Sequence, residues 1–198
     1  MAAGAHWLEV GTLLIAYEGI EAVRTFAKSF ENSIIVADMK TMDGGDWDVE
    51  TAATAGAHVI TIMGAAKDAT ILKAVEAGQK RSVKVVVDLL GVKDKPKRAR
   101  EAEELGADVV FLHTGFDERR LDPSRTPLLD LEAVLRSVQI PVAVGGGITS
   151  DVANKAVEMG ARLVAVSTTT AKVPFESVIK DVLNRPGRIL AQKSLSPR

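Results

Sequence analysis

Apolar residues fall into short, dense runs separated by longer amphipathic stretches. The runs are Trp7–Val10, Ser33–Ala37, His58–Met63, Lys84–Leu90, Asp108–Leu112, Pro141–Val144 and Arg162–Val166. Near-continuous runs rich in Val and Ile predict strands buried on both faces, and therefore a parallel sheet. Helical spacing marks Ile20–Phe30, Trp47–Ala55, Asp68–Gln79, Lys95–Leu105, Asp130–Val138, Ser150–Met159 and Phe175–Asn184. Strict alternation of the two patterns predicts an α/β fold.

A repeat sharpens this expectation. Gly-Ala occurs at Gly4, Gly56, Gly106 and Gly160, each time just before a strand run. A glycine there closes the preceding helix, where positive φ costs it little. The pairs recur about 50 residues apart, room for two βα units of about 26 residues each. Such regularity favours a (β/α)8 TIM barrel over an open, doubly wound sheet. Only seven strand runs are visible, and the repeat would put one strand and most of one helix ahead of Met1. The expectation is thus a barrel lacking its first strand and most of its first helix in this chain; a seven-strand barrel is the alternative. One barrel domain is expected over residues 1–184, followed by a C-terminal tail over 185–198.

Composition removes several classes of function. Cysteine is absent, which excludes disulfides, thiolate metal sites and cysteine nucleophiles, and accords with a reducing cytoplasm. A net charge of -1 gives no electrostatic reason to expect nucleic acid. No apolar run approaches the roughly 18 residues of a membrane span. Aromatic residues make up 4%, too few for base stacking or a sugar platform, so the expected core is aliphatic.

In a barrel the C-terminal strand ends carry the chemistry and the N-terminal ends carry stability. His6 and His58 stand at strand starts and read as structural; His113 stands at a strand end. Glu9, Asp38 and Asp88 also fall at or near strand ends. Each alone could be a structural hydrogen-bond acceptor, but acids are costly to bury unpaired. Their common location points to a hard cation with oxygen ligands, Mg²⁺ with Mn²⁺ as an alternative. Strand alternation puts Asp38 and Lys40 on one face, with Asp43 following a turn. A lysine between acids keeps its charge and can stabilise a developing oxyanion. Gly145-Gly146-Gly147 ends a strand and opens a helix, as a phosphate loop or simply a tight βα turn. The last strand run leads into Ser167-Thr168-Thr169-Thr170, whose hydroxyls can bond phosphate but which has no Gly or Arg.

These motifs resemble a known family. Glu9-Val10-Gly11-Thr12, the stretch from Val36 to Asp43 (V-A-D-M-K-T-M-D), Gly64 to Thr70, Val86-Val87-Asp88-Leu89 and His113-Thr114-Gly115 are similar to the 3-hexulose-6-phosphate synthase family. That family lies in the orotidine 5′-monophosphate decarboxylase suprafamily. The resemblance implies a homodimeric barrel, Mg²⁺, and aldol condensation of a phosphorylated pentulose, ribulose 5-phosphate, with formaldehyde. It implies Glu9 and Asp38 as metal ligands and Lys40 as the group stabilising the enediolate. It implies Asp43 as an acid reaching the neighbouring subunit's site, so that active sites are shared. Asp88 and His113 would line the reacting end of the sugar, and Gly146 and Gly147 the first phosphate loop.

Departures are specific. Leu13 stands where the family usually has Pro, and Ala16 where Lys is common. Ser167 and Thr168 replace the Gly-Gly or Gly-Arg of the second phosphate loop, and an acid on the first strand has no counterpart. Two other readings follow from the resemblance and its departures. One is the related 3-keto-L-gulonate 6-phosphate decarboxylase, which typically carries Arg where this chain has Phe116. The other is a degenerate barrel that binds a phosphosugar without turnover.

Overall fold

The β-branched runs form strands, and each amphipathic stretch between them packs as a helix on one face of the sheet. The computed structural model describes residue 5 and residues 7–167. The strands are β1 (Trp7–Val10), β2 (Ile34–Thr41), β3 (Val59–Met63), β4 (Lys84–Asp88), β5 (Val109–His113), β6 (Val142–Gly145) and β7 (Leu163–Ala165). All pair in parallel and in sequential order in one curled sheet. The helices are α1 (Thr12–Glu18), α2 (Glu21–Ser29), α3 (Gly45–Thr54), α4 (Asp68–Arg81), α5 (Lys95–Glu104), α6 (Phe116–Leu121), α7 (Leu128–Ser137) and α8 (Ser150–Met159). The architecture is TIM-barrel-like. Among the described residues β7 does not pair with β1 and no eighth strand is seen. The expected helix Phe175–Asn184, the tail, His6 and Thr168 lie outside the described residues.

Alternation along the strands divides the core in two. Ile35, Ala37, Ile60, Ile62, Val87 and Val110 meet the helices through Val23, Val49, Ile71 and Leu131. The opposite parity, Val36, Val59, Val86, Val109, Phe111 and Ala143, packs on the concave side of the sheet. Trp7, Ile34, Leu163 and Ala165, from β1, β2 and β7, pack against this inner cluster while remaining partly exposed. Helix ends behave as the repeat predicts: Gly56, Gly106 and Gly160 have φ of 94°, 94° and 117°.

Two helices were not expected. Helices α1 and α6 are short, start directly after Gly11 and Gly115, and bury no residue, so they carry no apolar stripe to read. Strand β2 also runs past the expected end at Ala37, to Thr41. Its pairing with β3 shifts between Ala37↔Ile60 and Thr41↔Ile62, so two extra residues bulge out of β2. The shift is by an even number of residues, so Met39 stays with Ala37 on the helix side and Lys40 stays on the face of Asp38, as alternation predicts.

His58 stands at the strand start and is exposed, on the stability side. Its Nδ1 accepts the Ile35 backbone N–H at 3.0 Å, and the His58 backbone N–H donates to the Ile35 carbonyl at 2.9 Å. His58→Ala removes one acceptor and should cost about 1 kcal/mol in urea unfolding. The same variant should leave the turnover number near wild type.

Candidate active site

The inner parity turns polar at its C-terminal end. Glu9, Asp38, Thr61, Asp88 and His113 continue the concave lines of Trp7, Val36, Val59, Val86 and Phe111, because every second residue shares a face. Apolar packing below thus meets a polar rim above.

Asp38 organises that rim. It is 6% exposed and its carboxylate accepts four contacts. Lys40 Nζ lies 2.9 Å from both oxygens, Thr12 Oγ1 donates to Oδ2 at 2.7 Å, and Thr61 Oγ1 donates to Oδ1 at 2.8 Å. Burial acts to raise its pKa, but the Lys40 charge and these hydrogen bonds outweigh burial and hold it below the usual value. Lys40 is the mirror case. Burial acts to lower its pKa, whereas Asp38 and Asp88 raise it above that of an ordinary lysine. The cluster therefore holds a fixed ammonium.

The backbone at Lys40 is strained to achieve this. Its φ is 49°, a region that non-glycine residues occupy at a cost of about 1–3 kcal/mol. Thr61 Oγ1 accepts the Lys40 N–H at 3.0 Å, so one hydroxyl holds the bulge and orients Asp38 together. Sequence reasoning missed Thr61 and underused Thr12. The available signal for Thr61 was a lone polar residue at inner parity within the apolar run V-I-T-I-M.

Asp88 is fully buried and links the ammonium to the histidine. Its Oδ1 accepts the Leu90 N–H at 2.9 Å. Its Oδ2 lies 3.3 Å from Lys40 Nζ and 3.0 Å from His113 Nδ1. The His113 ring stacks on Phe111, with centroids 4.9 Å apart and planes 18° apart. An ionised carboxylate can only accept, so Nδ1 is the nitrogen that donates to Asp88, and in a neutral ring Nε2 then carries the lone pair.

Glu9 completes the rim without joining the network. It lies on β1, the end strand of the described sheet, where solvent still reaches the side chain. Protein nevertheless crowds its carboxyl. That burial, then the Asp38 charge, push its pKa up to about 7, against the opposing pull of Lys40 and His113. Its carboxyl accepts no hydrogen bond from the described residues. An oxygen donor left without a partner beside a second carboxylate is suited to a hard cation. No group of three or more His, Asp or Glu side chains encloses a metal position among the described residues. A cation that keeps several waters and takes one or two carboxylates fits this donor set.

The other expected residues lie apart. Asp43 is exposed and makes no hydrogen bond or ion pair among the described residues. Gly146 and Gly147 form the turn after β6, with φ of 89° and 68°. Gly146 packs so tightly that a Cβ there would lie 2.0 Å from the Thr114 carbonyl oxygen. Since His113 pairs with Gly145, this turn adjoins the polar rim. Ser167 is exposed, two residues past β7.

Comparisons with known proteins place the chain among its relatives. Residues 1–172 match the model of the orotidine 5′-phosphate decarboxylase / HUMPS family. The chain belongs to this family. Within it, 160 residues are 40% identical to 3-hexulose-6-phosphate synthase from Staphylococcus aureus (strain bovine RF122 / ET3-1), covering 80% of this chain and 75% of the relative. The crystal structure of 3-hexulose-6-phosphate synthase from Salmonella typhimurium is 33% identical, with a TM-score of 0.83 over 89% of this chain and 85% of that one. The 3-keto-L-gulonate-6-phosphate decarboxylase of Vibrio cholerae shares the fold at 24% identity, with a TM-score of 0.80 over 91% of this chain and 85% of that one. This member of the family is a lyase of the hexulose-phosphate synthase type. No helix among its described residues is long and apolar enough to cross a membrane.

Thr61→Val keeps the side-chain shape but leaves the Lys40 N–H without its acceptor and removes a donor from Asp38. It should destabilise the fold by about 1–3 kcal/mol in chemical denaturation, and Thr61→Ser should recover most of that loss.

Proposed function

We propose that the chain catalyses the reversible aldol condensation of ribulose 5-phosphate with formaldehyde, giving a hexulose 6-phosphate. The observation that carries this reading is the continuous Asp38–Lys40–Asp88–His113 network at the concave C-terminal end of the strands. The names of the relatives support the same chemistry.

Condensation requires loss of a proton from C1 of the ketose, next to the carbonyl. His113 Nε2 takes that proton, with Asp88 orienting the ring and stabilising the imidazolium through Nδ1. Negative charge then spreads over the enediolate oxygens, and the ammonium of Lys40, held by Asp38 and Asp88, faces it without rearrangement. C1 forms the new bond to the formaldehyde carbon. The formaldehyde oxygen gains the proton that His113 carries. Glu9 and Asp38 would hold Mg²⁺, or Mn²⁺, and the cation supplies Lewis-acid stabilisation of the same oxygens. All four acceptor directions of Asp38 are now filled, so binding of the cation calls for Lys40 or a threonine to yield one.

The proposal includes a homodimer in which Asp43 serves the neighbouring site. Asp43 stands free of its own subunit's network. Met42 and Trp47, its neighbours in the chain, are exposed at 53% and 76%, and Leu13 and Tyr17 on α1 at 75% and 85%. Apolar exposure of this extent marks interaction surfaces.

Purified chain should convert ribulose 5-phosphate and formaldehyde in the presence of Mg²⁺, and EDTA should abolish turnover. His113→Ala should lower kcat by about 10²–10⁴-fold and suppress C1 proton exchange into D₂O without formaldehyde. Lys40→Ala should do at least as much harm. Full activity in chelator, or normal exchange in His113→Ala, overturns the assignment concerned.

Asp43→Asn and Lys40→Ala subunits should each be inactive alone and regain partial activity after subunit exchange, because a mixed dimer can contain one intact site. No recovery after demonstrated exchange counts against shared sites.

A further inference from the structure

Arg119 on α6 is a cation without an assigned task. Its side chain runs across the glycine turn after β6. A Cβ on Gly147 would lie 2.7 Å from Arg119 Cδ and 2.9 Å from Nη1, so the guanidinium occupies space that a side chain at residue 147 would contest. The Phe116 ring lies 5.7 Å from its guanidinium carbon and restricts it from another side. Arg119 Nε is shut off from solvent and has no hydrogen-bond partner among the described residues. Among the described residues Arg119 forms no ion pair; the acid beside it, Glu118, faces Arg125 at 3.7 Å. An enclosed donor on a charged group is costly to leave unmatched, so the arrangement calls for an acceptor that the described residues do not provide.

We propose that Arg119 binds the phosphate of the substrate at the Gly146–Gly147 turn and so sets the preference for a phosphorylated ketose. The inference rests on the reading of the substrate as a sugar phosphate. Three observations converge on it. The turn carries no side chains, which allows an anion to approach its backbone. A guanidinium presents paired donors that match a phosphate, and here it is already packed in position. The four residues after β7, Ser167-Thr168-Thr169-Thr170, carry hydroxyls but no cation to pair with a phosphate. Helix α6 supplies one. It begins three residues after His113, and Thr114 N–H donates to the Gly145 carbonyl at 3.1 Å, which ties the two loops together. The reacting end of the ketose and its phosphate would then be held by two arms of the same β5–β6 edge.

The test compares wild type with Arg119→Gln, Arg119→Lys and Arg120→Gln. Arg120 is exposed and lies 5.6 Å from the same Phe116 ring, so it controls for loss of a nearby positive charge. Inorganic phosphate is titrated into each folded chain, followed by ³¹P NMR and by the rise in melting temperature. Arg119→Gln should weaken phosphate binding by about tenfold or more, with partial recovery in Arg119→Lys and none of the loss in Arg120→Gln. In turnover, Arg119→Gln should raise KM for ribulose 5-phosphate by a similar factor, leaving kcat and the KM for formaldehyde close to wild type. Unchanged phosphate binding in Arg119→Gln overturns the proposal. So does an equal loss in Arg120→Gln, or a wild-type chain that binds no phosphate. Phosphate binding that depends on Arg119 in a chain that does not turn over ribulose 5-phosphate would sustain this inference and defeat the proposed reaction instead.

Discussion

A buried carboxylate needs its hydrogen bonds, and the whole polar rim is arranged around that need at Asp38. Removed from water, the carboxylate accepts from Lys40, Thr12 and Thr61, which come from three separate segments. Leaving any of its oxygens unmatched would cost more than an ordinary hydrogen bond is worth. The bulge in β2, the positive φ of Lys40 and the position of Thr61 are consequences of the same requirement. Strain in the backbone is tolerated because the surrounding bonds over-determine the conformation.

Charge balance then sets what the rim can do. Lys40 sits between Asp38 and Asp88, so the three groups carry an excess of negative charge before any ligand arrives. Glu9 adds a fourth group, and its raised pKa shows that neither burial nor the neighbouring acid favours another anion there. A site of this kind favours a cation on its acidic side and a developing anion next to the ammonium. Both features suit enediolate chemistry. His113 is set off to one side, oriented by Asp88 and stacked on Phe111, where it can move a proton without competing for Lys40.

Much of this architecture was legible beforehand, for definable reasons. Strands with two buried faces have to be apolar throughout, so the seven runs stand out along the chain. The Gly-Ala punctuation marks helix ends because Gly56, Gly106 and Gly160 adopt positive φ. Helices α1 and α6 were invisible because neither buries a residue, and burial is what writes periodicity into a sequence. The true extent of β2 was hidden because the apolar run stops at Ala37, and nothing in A-D-M-K-T announces two extra residues.

The order of residues by itself determined the alternating α/β plan, the parallel sheet, and the sorting of Glu9, Asp38, Asp88 and His113 to strand ends. These depend on local hydrophobicity and on position within each unit, which are one-dimensional properties. Only the tertiary structure decided which atoms meet. The pairing of His113 with Asp88 through Nδ1, the clasp of Thr12 and Thr61 on Asp38, and the contact of Arg119 with Gly147 join residues from different strands and loops. Such contacts are set by strand register and sheet curvature. Both are collective outcomes of packing, and no short stretch of the chain encodes them.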